Sequence, residues 1–92
     1  MRVGVASSGT LSRYLEGAIQ TEGHEAVLCA DLPEALRHEP QLVFAEWVDG
    51  PELGALLNGL ALARGASPPV PVVALVPAGA AGLGRRAVSA GA

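Results

Sequence analysis

Residues 42–46, LVFAE, are apolar at every position before a terminal glutamate. Alternation places Leu42 and Phe44 on one face of a strand and Val43 and Ala45 on the other. A strand that is apolar on both faces belongs inside a parallel sheet with helices on each side. This stretch therefore predicts a central strand, β3, in a layered α/β protein. It also leaves one carboxylate, Glu46, at the point where the strand leaves the core.

The neighbouring segments repeat the theme. Residues 2–6, RVGVA, read as β1, stopped by the turn cluster Ser7-Ser8-Gly9. From Thr10, Leu11, Tyr14, Leu15, Ala18 and Ile19 recur at helical spacing, and Gly23 suits the residue just past the end of this helix, α1. Residues 25–30, EAVLCA, read as β2. Asp31, Pro33 and Glu34 then supply an N-cap, an early-turn proline and a capping-box acid for a short α2 that ends before Pro40. After β3, Asp49 or Gly50 can cap α3, Pro51 suits its first turn, and Leu53, Leu56, Leu57, Leu60 and Arg64 mark its face before Gly65. VVALV, 72–76, is a fourth buried strand, and residues 80–90 read as a glycine-weakened α4.

Strands alternating with helices at roughly 20-residue intervals imply parallel βα units with right-handed crossovers. The expected fold is a flavodoxin-like, doubly wound α/β/α sandwich with strand order 2-1-3-4, built as one domain over 1–92. Functional groups in such sheets gather where β1 and β3 end, which here means Ser7, Ser8 and Glu46.

Composition narrows the function classes. The chain has 92 residues, half of them hydrophobic and 16% charged, with a net charge of −3. That supports a folded core and makes nucleic acid an unfavourable partner. The six basic residues are Arg2, Arg13, Arg37, Arg64, Arg85 and Arg86, so there is no lysine. Cys29, the single cysteine, lies in an apolar run and reads as a small buried hydrophobe rather than a nucleophile. No apolar run is long enough to span a bilayer and no signal-peptide pattern opens the chain, so the cytoplasm is the expected compartment.

Several stretches together resemble the receiver domain of bacterial two-component response regulators over Met1–Ala92. They are RVGVASS, GHEAVLCADLPEALR, PQLVFAEW, PVVALV and AVSAGA. The resemblance implies paired acids after β1 and a phosphoacceptor aspartate at the end of β3, together holding Mg²⁺. It also implies a hydroxyl-bearing residue after β4 and a lysine ending a fifth strand. In this chain those positions carry Ser7 and Ser8, Glu46, and Val76, and the lysine position falls beyond Ala92. About 25 further residues would be needed for β5 and α5, so β4 is expected to form an open edge suited to a homodimer.

Mg²⁺ holds its water tightly and usually requires one or two carboxylates with phosphate oxygens, so its binding here is expected to be weak or absent. Glutamate also carries its oxygens about 1.5 Å further out than aspartate, beyond the roughly 0.5 Å tolerance of catalytic geometry. No cofactor and no catalytic residue is therefore expected.

The expected function is an atypical, phosphorylation-independent receiver acting as a protein-interaction module in bacterial signalling. An ordinary phosphorelay receiver and a small nucleotide-binding module are the alternatives. Glu46 either imitates a phosphorylated aspartate or simply accepts hydrogen bonds from Ser7, Ser8 or backbone N–H groups. Trp47 could anchor a partner or pack over a helix. Ser7 and Ser8 fit turn and N-cap duty, and GAAGLG at 79–84 has the reverse spacing of a dinucleotide fingerprint.

Overall fold

The computed structural model of the chain describes residues 1–7, 10–46, 53–76, 82, 85, 88, 89, 91 and 92, with backbone alone for Thr10 and residues 53–55. The element order is β1 (Arg2–Ala6), α1 (Thr10–Thr21), β2 (Glu25–Cys29), α2 (Leu32–Arg37), β3 (Leu42–Glu46), α3 (Leu53–Gly65) and β4 (Val72–Leu75). All strand pairs are parallel and the order across the sheet is β2-β1-β3-β4. β1 and β3 are thus the interior strands, as the doubly apolar LVFAE requires.

The alternation of side chains sorts the core into two layers. Ala6, Cys29, Val43, Ala45 and Val72 face Leu32 and Ala35 of α2 and Leu56, Leu60 and Ala63 of α3. Val3, Val5, Leu42 and Phe44 lie on the other face with Leu15 and Ile19 of α1. Val5, Val43 and Ala35 have no measurable exposure. Small strand residues let the helices come close, and α3 approaches α2 closely at Gly59. A Cβ there would stand 2.6 Å from Leu32 Cγ.

Local signals set the element ends. Gly23 adopts φ +85 and donates its N–H to Gln20 O while His24 N donates to Ile19 O, closing α1 in a Schellman-type turn. Asp31 Oδ1 accepts from Glu34 N at 2.8 Å and Glu34 Oε2 accepts from Ala30 N at 3.2 Å. These reciprocal bonds start α2 and turn Ala30 out of the ladder, so β2 ends at Cys29, one residue before the sequence suggested. β4 ends at Leu75, one residue before the sequence suggested. Val76 follows it, exposed.

The buried stripe of α1 also differs from the sequence reading. Ser12, Leu15 and Ile19 face the sheet, whereas Leu11, Tyr14 and Ala18 are exposed. The two stripes share Leu15 and Ile19, so the buried face is turned from the expected one by less than a single residue's step of about 100°. Small Ser12 fits close to the sheet where the Tyr14 ring would not. The caps expected for α3 at Asp49, Gly50 and Pro51 lie outside the described residues. Of the expected α4, Gly82, Arg85, Val88 and Ser89 are described and are helical.

The Gly59 contact makes a test with opposed signs. Gly→Ala in a helix ordinarily gains about 1 kcal/mol, but overpacking against immobile Leu32 costs about 1–3 kcal/mol. Gly59→Ala should therefore lower the urea midpoint. Gly17→Ala, exposed in α1 with nothing within 4 Å of the added methyl, should raise it.

Candidate functional site

The parallel sheet brings the ends of β1 and β3 together. Their register pairs Ala6 with Ala45, so Ser7 and Glu46 leave the sheet side by side. The Ser7 hydroxyl donates to Glu46 Oε2 at 2.8 Å. Ser7 is 8% exposed and Glu46 is partly exposed. Ser7 is thus one of the hydrogen-bond partners the sequence allowed for Glu46. Glu46 is also in register with Leu75 of β4, and Val76 stands exposed just past that strand. Ser8 and Trp47 lie outside the described residues.

A carboxylate beside a neutral hydroxyl has different chemistry from clustered carboxylates. The Ser7–Glu46 pair offers one carboxylate, and the hydroxyl occupies one of its acceptor sites. Mg²⁺ prefers octahedral oxygen ligands and is usually held by one or two carboxylates with phosphate oxygens, so this pair by itself is a sparse donor set for the ion.

A second group of ionisable side chains lies where β2 leads into α2. The ligand atoms of Cys29, Glu34 and His38 all fall within 4.8 Å of one another. Separately, the sequence cast Cys29 as a buried hydrophobe and Glu34 as a capping acid, and the structure places His38 at the end of α2. The combined signal was Glu34 and His38 four residues apart, which share a helix face, with a cysteine ending the preceding strand. Burial pushes the Cys29 thiol above its ordinary value, and the charges of Glu34 and Asp31 push it the same way.

Four parallel strands in the order 2-1-3-4, with helices on both faces and polar groups gathered at the carboxyl ends of β1 and β3, define a receiver-like fold. No protein-family model matches the chain, and no curated protein matches it. Solved structures do. NtrX from Brucella abortus, a response regulator determined in complex with ADP, aligns with a TM-score of 0.75 and 25% identity over 99% of this chain. The chain spans 21% of the length of that protein. The likeness supports a receiver module of signal transduction as the class. Among the described residues, no helix is long and apolar enough to cross a membrane.

Two outcomes follow from these contacts. Ser7→Ala removes a hydrogen bond to a partly exposed carboxylate that water can still reach, so it should cost about 1 kcal/mol, read as a lower urea midpoint at unchanged slope. The raised Cys29 value means that the neutral thiol contributes stability below the ordinary value of 9.0, and this is lost as pH rises through the folded-state value. Tm should fall across that alkaline range, and less so in Cys29→Ala.

Proposed function

We propose that this chain is a receiver-like regulatory module that works through protein contacts, without phosphoryl transfer and without catalytic turnover. The observation that carries this reading is the 2.8 Å bond from Ser7 to Glu46. It stands where the receiver resemblance would have acids and an aspartate. Phosphoryl transfer depends on positioning and on neutralising charge. Ser7 adds no charge, and Glu46 sets its oxygens at the wrong reach.

The partner is proposed to be protein. Val73 of β4 is 41% exposed beside half-buried Phe44, its register neighbour on the sheet face that α1 covers further along. β4 is an edge strand among the described residues, and such an edge can accept an added strand from a second copy or another protein.

Incubation with Mg²⁺ and either acetyl phosphate or beryllofluoride tests the reading. No phosphoryl mass increment and no amide shift at residues 7 or 46 is expected. Phosphate attached to Glu46 would instead identify a phosphoacceptor receiver, and a thermal shift with ADP alone would identify a nucleotide-binding module. The triple variant Ser7→Asp, Ser8→Asp, Glu46→Asp should gain Mg²⁺ affinity at least about tenfold, since it restores the carboxylates this ion needs.

A further inference from the structure

We infer that Cys29, Glu34 and His38 form a binding site for Zn²⁺, a thiolate–carboxylate–imidazole set that ties α2 to the end of β2. This inference is independent of the proposed signalling role and concerns different residues from Ser7 and Glu46.

The three side chains reach one point from different parts of the chain. Cys29 is the last residue of β2, Glu34 lies in the first turn of α2, and His38 is the residue that closes that helix. Their ligand atoms lie within 4.8 Å of one another. In a tetrahedral zinc site, with bonds of about 2.0–2.3 Å, ligand atoms stand about 3.3–3.7 Å apart. The closure needed is therefore about 1 Å, within the reach of rotamer adjustment at Glu34 and His38 and without backbone movement.

Neighbouring contacts hold these residues in place. Ala30 N donates to Glu34 Oε2 at 3.2 Å, which orients the carboxylate. His38 is fixed through its backbone, since its N–H donates to Ala35 O, the next N–H, of Glu39, donates to Leu36 O, and its own carbonyl accepts from Arg2 Nη1 at 2.6 Å. Such outer contacts are what set ligand orientation at metal sites. Cys29 is 5% exposed while His38 is exposed, so the site opens to solvent on the histidine side.

Ligand chemistry selects the metal. A thiolate and an imidazole disfavour Mg²⁺ and Ca²⁺, which take oxygen ligands, and one carboxylate completes a set that suits zinc. Three protein ligands leave the fourth tetrahedral position for water or for a side chain from a partner. On binding, the Cys29 S–H bond breaks, its proton leaves to solvent and the sulfur lone pair forms the Zn–S bond.

The test uses the whole chain. Zn²⁺ is titrated against a chromophoric chelator, and Co²⁺ is added separately to reveal the thiolate-to-metal charge-transfer band in the near ultraviolet. One ion per chain is expected, with that band present and Tm raised by about 5 °C or more at saturation. His38→Ala and Glu34→Gln, both at solvent-facing side chains, should each weaken binding at least about tenfold, and Cys29→Ser should abolish the cobalt band. His24→Ala should leave binding unchanged. That control matters because the Met1 amino group lies 3.3 Å from His24 Nδ1 and is a rival site. Absence of saturable binding, absence of the cobalt band in the unaltered chain, or loss of binding in His24→Ala with retention in His38→Ala would each overturn the assignment.

Discussion

The structure depends on burying both faces of β1 and β3 with short side chains. Val3, Val5, Val43 and Ala45 offer little bulk, so the sheet is covered only if helices lie close on each side. Covering both faces requires each strand to be followed by a crossover helix, and that makes the strands parallel. Parallel strands send all their carboxyl ends to one edge. Ser7 and Glu46, 39 residues apart in the chain, become hydrogen-bonded neighbours as a consequence of core packing. The same packing leaves Gly59 no room for a side chain, because Leu32 of α2 has 1% exposure and nowhere to move.

The strands were legible because parity needs only the identity of adjacent residues. LVFAE and RVGVA announce two buried faces within five residues, and the observed strands match both. Helix α1 was less legible. Leu11, Tyr14, Leu15, Ala18 and Ile19 make a plausible apolar stripe, whereas Ser12, Leu15 and Ile19 are the residues that turn inward. Hydrophobicity favours the first, but available space decides for the second, since a small hydroxyl residue fits near the sheet while Tyr14 stands in solvent at 73% exposure. Space is a tertiary quantity that a stripe of letters does not carry.

The candidate site divides in the same way. That Glu46 would end β3 beside the end of β1 followed from topology alone. That its partner is Ser7 required the 2.8 Å distance. The group of Cys29, Glu34 and His38 was hidden because each residue had a sufficient local explanation: Cys29 fits the apolar layer, Glu34 completes a capping box, and His38 closes a helix. The convergence arises because α2 is only six residues long. His38, the residue that caps it, remains near the end of the strand that precedes it, whereas an average helix, about twice that length, would carry a histidine out of reach.

Both groups show what a receiver-like scaffold constrains and what it leaves open. The close approach of α2 and α3 to the sheet is a packing demand that tolerates few side chains, as Gly59 and Ala35 indicate. At the ends of β1 and β3 the demand is of another kind, since Ser7 is buried and Glu46 partly exposed, and the position asks for a polar partner to the carboxylate rather than for small size. Ser7 is consistent with this, because a serine satisfies the carboxylate of Glu46 where a second acid would repel it.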